Sequence, residues 1–107
     1  MPIENPNDRH QWPNNVGQKR TLEAVDGKPM DCTIEDEILH PQAGSPEKLI
    51  CFQQLRCDNG ACELRLTQYV LGVGKYWVWG QSLFNIPAGD FEEIAKEAQA
   101  RGWFVPG

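Results

Sequence analysis

The feature that most constrains this chain is an Asn-Gly pair between two runs of strand-forming residues. Asn59 and Gly60 separate a run rich in Leu, Ile and Phe from a run rich in Leu, Thr, Tyr and Val. Asn-Gly is a strong signal for a two-residue β-hairpin turn, because both central positions need a positive φ. The sequence therefore predicts an antiparallel hairpin in which Cys57 lies opposite Cys62.

This pairing divides the predicted hairpin into two faces, because successive side chains of a strand point to opposite sides. One face is apolar, and we expect the C-terminal helix to cover it; it carries Leu49, Cys51, Leu55, Cys57, Cys62, Leu64, Leu66 and Val70. The second face mixes arginine, polar and large apolar side chains: Ile50, Phe52, Gln54, Arg56, Glu63, Arg65, Thr67 and Tyr69. The next strand adds either Lys75, Trp77 and Trp79 or Tyr76 and Val78 to this second face, and its alternation leaves both choices open.

Two further strands and a helix complete the C-terminal half. Residues 75–79 and 82–86 are rich in aromatic and apolar residues, which is typical of strands. A helix is predicted after Pro87, with a spacing of i, i+3, i+4 and i+7 between its apolar residues Phe91, Ile94, Ala95 and Ala98. The element order over residues 48–101 is therefore predicted to be ββββα.

The N-terminal half contains more turn signals and fewer strand signals. Residues 1–18 are predicted to be an extended arm with Trp12 as its one large anchor, residues 19–39 a hairpin, and residues 40–47 a linker rich in proline. We expect a single domain over residues 1–107. Its fold class is α+β: an antiparallel sheet of four or more strands, with one amphipathic C-terminal helix packed on one face, plus the N-terminal arm and hairpin.

Charge and hydropathy narrow the class of protein. The chain has 107 residues, 40% of them hydrophobic, and a net charge of −5. The first 47 residues hold nine acids and four bases, so they account for the whole excess. Such an acidic chain is not expected to bind duplex DNA tightly, because most of the affinity for DNA comes from cationic side chains that neutralise phosphates. Without a long apolar run or a signal-peptide pattern, we expect no membrane contact and a cytoplasmic location.

The second face of the sheet is the candidate binding surface. Its predicted members are Phe52, Arg56, Arg65, Tyr69, Lys75, Trp77 and Trp79. Two interpretations stay open. The N-terminal hairpin or arm packs over this face and Trp12 fills a gap, or the face is exposed and binds a peptide or stacked bases.

The four cysteines, Cys32, Cys51, Cys57 and Cys62, allow three interpretations. They are free thiols that pack as small apolar side chains, or Cys57 and Cys62 form a cross-strand disulfide, or they belong to a zinc site. A zinc site needs a second pair of ligands at suitable spacing, and His10 and His40 lie in proline-flanked segments without a partner histidine. We expect no metal and no cofactor.

Motifs of known enzyme classes are missing from the sequence. It contains no G-x-S-x-G, no P-loop, no H-E-x-x-H and no G-x-G-x-x-G. We therefore expect a protein without enzymatic activity and without catalytic residues.

One family resemblance rests on the run KLICFQQLRCDNGACELRLTQYV followed by SLFNIPAGDFEEIAKEA. Residues 48–101 resemble the Pur repeat of purine-rich-element-binding proteins, and the ββββα order is similar to that of single-stranded-DNA-binding coactivators. The junction FNIPAGDFEEI carries most of the likeness. The resemblance implies a curved sheet that binds single-stranded nucleic acid and dimerises, and it implies binding roles for Lys48, Phe52, Arg56, Arg65, Tyr69 and Lys75.

Three hypotheses for the function follow. The first is a small binding or regulatory module that acts by protein–protein contact, with another protein or by self-association. The second is a single-stranded nucleic-acid-binding protein that uses the arginine and aromatic face. The third is a small redox or zinc protein that uses Cys57 and Cys62.

Overall fold

The computed structural model describes residues 5–80 and 84–104 and contains one antiparallel sheet and one α-helix. Five strands follow one another across the sheet in chain order. They are β1 (Lys19–Glu23), β2 (Pro29–Gln42), β3 (Ser45–Cys57), β4 (Cys62–Leu71) and β5 (Trp77–Trp79), and helix α1 (Ala88–Ala100) follows them. The predicted α+β class, with an antiparallel sheet and one C-terminal helix, is confirmed.

The two longest strands, β2 and β3, form a hairpin with Ala43 and Gly44 at its turn. Gly44 has a φ of 77°, a left-handed value that glycine adopts without steric cost. Pro46 pairs with no β2 residue, since the register of the ladder shifts next to the turn, and proline is tolerated at such irregular positions. The predicted linker over residues 40–47 is therefore wrong, because proline and glycine here mark a tight hairpin end.

The N-terminal segments lie against the outer part of β2. The hairpin predicted over residues 19–39 corresponds to β1 and most of β2, which continues to Gln42. Before β1, the Gly17 N–H donates to the Ile34 carbonyl (2.7 Å), so the arm extends the sheet edge by a short stretch. Of the strand predicted over residues 82–86, the first two residues lie outside the described part of the chain, and residues 84–86 form no strand.

A three-residue turn joins β3 to β4 and sets the register of these strands. The Gly60 N–H donates to the Cys57 carbonyl (2.8 Å), and the Cys57 N–H donates to the Ala61 carbonyl (2.8 Å). Within this turn only Gly60 has a positive φ, 86°, which is typical of a type I turn followed by a left-handed glycine. Arg56 therefore lies opposite Cys62. The predicted two-residue turn and its register are wrong by one residue.

The shift of one residue moves every β4 side chain to the other side of the sheet. The side covered by α1, here named the helix face, carries Ile38, Ile50, Phe52, Leu66 and Val78. The other side, the open face, carries Arg20, Leu22, Cys32, Ile34, Glu37, Leu39, Leu49, Cys51, Gln53, Leu55, Cys57, Arg65, Tyr69, Trp77 and Trp79. Both predicted faces of the hairpin are wrong, because each combined β3 residues of one face with β4 residues of the other.

Helix α1 packs on the helix face through Ile94 and Ala98, which are one turn apart. One turn earlier, Asp90 is also buried and accepts a hydrogen bond from the Ala43 N–H (2.7 Å). Phe91 belongs to the apolar row of the predicted helix, but half of its surface is exposed. The predicted helix is present. Its buried residues are Asp90, Ile94 and Ala98, which lie on one side of the helix because they are four residues apart.

The segment after α1 is anchored to β2 by the carboxylate of Asp36. The Trp103 indole N–H donates to Asp36 Oδ2 (3.0 Å), and Arg101 Nη1 donates to Asp36 Oδ1 (3.0 Å). Burial raises the pKa of Asp36, but hydrogen bonds from the Glu37 N–H, Trp103 and Arg101, with the charge of Arg101, outweigh burial and bring the pKa below its usual value. The charged carboxylate is therefore favoured in the folded protein.

Replacing Gly60 by Ala should destabilise the hairpin turn, because alanine is strained at a φ of 86°. We expect Gly60→Ala to lower the free energy of unfolding by about 1 kcal/mol. Gly89→Ala is the matched control, since it lies within α1 with open space around it, and should be neutral or stabilise by roughly 0.5–1 kcal/mol. Urea unfolding measures both effects. An equal effect of the two substitutions would contradict the turn geometry.

Replacing Asp36 by Asn should lower stability at neutral pH and weaken the sensitivity to acid. A carboxyl with a lowered folded-state pKa contributes stability above its unfolded pKa of about 3.9, and this contribution is lost as the pH falls through the folded pKa. We expect Asp36→Asn to cost roughly 1–2 kcal/mol at neutral pH, since an amide cannot replace both acceptor oxygens. Urea unfolding at neutral pH and near pH 3 tests this, with Glu92→Gln on the exposed side of α1 as control. Equal acid sensitivity in Asp36→Asn and the unchanged protein would refute it.

Candidate functional site

The N-terminal arm covers one part of the open face. Trp12 packs beside Leu39, Leu49, Tyr69 and Trp77. Its indole N–H donates to the Pro6 carbonyl (2.9 Å), so the ring is held from within the arm itself. The interpretation in which Trp12 fills a gap under the arm therefore describes this region, although the face involved is not the predicted one.

Next to Trp12, the carboxylate of Glu37 collects hydrogen bonds from the arm and from β3. The Asn15 N–H donates to Glu37 Oε2 (3.2 Å), and Asn15 Nδ2 donates to both carboxylate oxygens (3.3 and 3.2 Å). Gln53 Nε2 and Cys51 Sγ approach the same carboxylate at 3.5 and 3.6 Å. A partly buried carboxylate is stabilised by donors that replace its lost hydration, and here those donors fix the arm to the sheet.

The same network holds Arg65 in place. Gln53 is fully buried, and its Oε1 accepts hydrogen bonds from Arg65 Nε (3.0 Å) and Nη2 (2.7 Å). The guanidinium carbon lies 4.8 Å from the centre of the Trp79 ring, a cation–π distance. Tyr69 packs edge-on against Trp79 with ring centres 4.9 Å apart, and its hydroxyl accepts a hydrogen bond from Asn15 Nδ2 (2.8 Å).

These side chains border a cavity of about 260 Å³, here named the arginine pocket. It is lined by Asn15, Arg20, Leu22, Ile34, Arg65, Tyr69 and Trp79. Within residues 5–80 and 84–104, neither Arg20 nor Arg65 has a carboxylate oxygen within 4.0 Å. The pocket therefore combines two positive charges with an aromatic wall and contains no paired acid from the described part of the chain.

Burial and charge act together on the groups of the arginine pocket. Burial lowers the pKa of Arg65, and the neighbouring charge of Arg20 acts in the same direction. Burial raises the pKa of Tyr69, so its hydroxyl stays protonated at neutral pH. An anion in this pocket would relieve the repulsion between the two guanidinium groups and would find several N–H donors.

A second groove, of about 380 Å³, lies between the arm, β2 and α1. Within this groove, Arg101 pairs with Asp36 and Glu97, and Glu93 Oε2 lies 3.5 Å from His40 Nε2. Three carboxylates, Glu37, Glu93 and Glu97, line the groove. Because no carboxylate of the described residues lines the arginine pocket, an anion is attracted more strongly to that pocket than to this groove.

The predicted binding surface is divided by the structure. Arg65, Tyr69 and Trp79 line the arginine pocket, and Trp77 packs against the buried cluster that contains Tyr69. The remaining predicted residues lie elsewhere: Phe52 packs against Trp103 on the helix face, Arg56 pairs with Glu35, and Lys75 is exposed in the β4–β5 turn.

Sequence reasoning missed four lining residues, Asn15, Arg20, Leu22 and Ile34. Arg20 and Leu22 are two residues apart in β1 and therefore lie on the same face of the sheet. This spacing could have identified both as members of one surface. No local pattern marks Asn15, because its role depends on contacts with β2 and β4.

The cysteine pair that the turn predicted does not form. Cys57 is buried on the open face and Cys62 is exposed on the helix-face side, because the register shift separates them. All four cysteines are free thiols, and Cys57 instead faces Cys32. Within the described residues no group of three His, Cys, Asp or Glu side chains is placed to hold a metal ion.

Comparison with protein-family models, with curated proteins and with solved structures finds no match to this chain. The resemblance of residues 48–101 to the Pur repeat therefore stays a prediction. In the described part of the chain, no helix has the length and apolar character needed to cross a membrane.

Replacing Asn15 by Ala should loosen the arm from the open face, because it removes the Nδ2 bonds to Glu37 and Tyr69. We expect a loss of roughly 1–3 kcal/mol of unfolding free energy, since partly buried acceptors lose their donors. Quenching of tryptophan fluorescence by acrylamide should also increase, as Trp12 becomes more accessible. Asn7→Ala is the control, since Asn7 is exposed in the same arm. Identical quenching in the two variants would argue against an arm held by Asn15.

Proposed function

We propose that this protein is a small non-enzymatic binding module that acts by contact with another protein, and that the arginine pocket receives a carboxylate of that partner. The supporting observation is the pair Arg20 and Arg65, which border one cavity without an ion-pair partner in the described part of the chain. A partner's Asp, Glu or chain-terminal carboxylate would supply the missing negative charge and accept charge-assisted hydrogen bonds.

The position of Arg65 favours binding at low entropic cost. Gln53 already binds Nε and Nη2, so the side chain is ordered in the unbound protein. Ordering a long side chain in advance reduces the entropy lost on association. The Tyr69 hydroxyl accepts from Asn15 and keeps its own hydrogen for a ligand oxygen.

The size and walls of the pocket favour a single side chain as its occupant. A volume of about 260 Å³ is at or below the lower end of the range of about 300–1,000 Å³ for sites that enclose drug-sized ligands. Leu22, Ile34 and Trp79 provide apolar walls for the stem of such a side chain. Trp79 is 47% exposed, so a partner surface could also cover its ring.

Single-stranded nucleic acid is the second candidate ligand, and the stacked pair Arg65 and Trp79 is the observation that favours it. A strand of phosphates needs a continuous series of cations. Lys48, Arg56 and Lys75 do not line the arginine pocket, and the chain carries a net charge of −5. A single carboxylate therefore fits the charge distribution better than a polyanion does.

Binding of matched short peptides tests the proposal. The probes are an acetylated peptide with one central glutamate, its glutamine counterpart, and a short oligothymidylate. Binding of each probe is measured by the NMR chemical shift of the Trp79 indole N–H. We expect the glutamate peptide alone to shift this signal. Arg65→Gln should weaken its binding about tenfold, which corresponds to about 1.4 kcal/mol.

Arg56→Gln is the matched control, because Arg56 is exposed and does not line the pocket; it should change the affinity less than about twofold. Equal shifts from the glutamate and glutamine peptides would overturn the carboxylate proposal. Binding of oligothymidylate with a steep dependence on salt would replace it with the nucleic-acid alternative.

A further inference from the structure

A contact between two thiols joins β2 to the end of β3. Cys32 and Cys57 are directly opposite residues, and their Sγ atoms are 2.8 Å apart. The Asp58 N–H donates to the Asp31 carbonyl (2.9 Å), which flanks the pair. This places Cys32 and Cys57 at a non-hydrogen-bonded position of the ladder, where opposite side chains lie closest together.

The surroundings of this pair are apolar. Cys32 is 1% exposed and Cys57 is 2% exposed, and they pack with Leu22, Met30, Ile34, Leu55 and Ala61. Burial raises the pKa of the Cys57 thiol to about 12, and its hydrogen bond with Cys32 adds to the effect. The Cys57 thiol is therefore a poor nucleophile while the strands remain paired, and no ligand set for a metal surrounds the pair in the described part of the chain.

We propose that Cys32 and Cys57 are a site of intramolecular disulfide formation that ties β2 to the tip of the β3–β4 hairpin. The oxidant is a small disulfide such as oxidised glutathione. The Cys57 thiolate attacks one sulfur of the small disulfide, which forms a mixed disulfide and releases one small thiolate. The Cys32 thiol then loses its proton and attacks Cys57 Sγ, which releases the second small thiolate. Two protein thiols are oxidised, one small disulfide is reduced, and the protons go to the released thiolates.

The place of Cys57 in the fold provides a route for this exchange. It immediately precedes the turn at residues 58–60, whose three residues are all exposed. Opening of this hairpin tip would expose Cys57 without unfolding of the core around Ile50 and Ile94, since these lie in a separate cluster. Local openings of this kind occur well below the free energy of global unfolding.

The other two cysteines serve as internal comparisons. Cys62 is exposed on the other face of the sheet, so it should form a mixed disulfide with the small thiol and remain unlinked to another cysteine. Cys51 is fully buried next to Glu37, and burial together with that carboxylate raises its pKa. We expect Cys51 to remain a free thiol throughout the exchange.

The test is incubation of the full chain carrying Cys62→Ser with oxidised glutathione, followed by thiol titration after denaturation and by peptide mapping. This variant keeps three thiols, since the chain has four cysteines. We expect two of the three thiols to be lost and the recovered cross-linked peptides to join Cys32 with Cys57. The same mapping on the unsubstituted chain, with Cys62 carrying a glutathione adduct, gives an answer that does not depend on any variant.

The oxidised protein should also be more resistant to denaturant, because the bridge closes a long loop in the unfolded chain. We expect the urea midpoint of the Cys62→Ser protein to rise by about 1–2 M on oxidation. Cys32→Ala in the same background should show no such rise. The proposal would be overturned by any of three results: three intact thiols after exchange, a link that includes Cys51, or a link between Cys32 and Cys57 that forms only in denaturant.

Discussion

The fold depends first on the turn at residues 58–60, because this turn decides which side chains of β4 share a face with those of β3. Gly60 takes the one left-handed position, and Cys57 pairs with Ala61 across the loop. A two-residue turn would have moved Arg65 to the side covered by α1. With the observed turn, Arg65 lies beside Gln53 on the open face. The arginine pocket and the separation of Cys57 from Cys62 both follow from this register, whereas the contact between Cys57 and Cys32 follows from the pairing of β2 with β3.

Glu37 has a comparable importance for the open face, because a partly buried carboxylate is stabilised by the donors around it. Its donors come from the arm through Asn15 and from β3 through Gln53. Gln53 then presents its amide oxygen to Arg65. One carboxylate therefore orders both the arm that carries Trp12 and the arginine that remains available in the pocket. Removing the polar groups of this network from water costs free energy. In return, Arg65 is held in one conformation, as a binding site requires.

The sequence was sufficient to predict the antiparallel sheet, the hairpin through Asn59 and Gly60, and a C-terminal helix. It was insufficient for the register, because the same dipeptide suits a two-residue turn and a three-residue turn closed by a left-handed glycine. The buried row of α1 was missed because Asp90 is polar, and its burial depends on a hydrogen bond from Ala43, 47 residues away. Arg65, Tyr69 and Trp79, three of the predicted surface residues, line one cavity in the structure, whereas Asn15 depends on long-range contacts that no local pattern records.

The arginine pocket keeps its positive charge because the three consecutive acids of β2, Glu35, Asp36 and Glu37, have other partners. The register of the β2–β3 ladder shifts between Ile34 and Asp36, and the acids are consequently used in three different places. Glu35 pairs with Arg56, and Asp36 holds Arg101 and Trp103 beneath the helix end. Glu37 alone points to the open face, where donors from Asn15, Cys51 and Gln53 occupy it. An acidic chain can therefore keep two arginines without carboxylate partners in one cavity, since the nearest acids are already engaged.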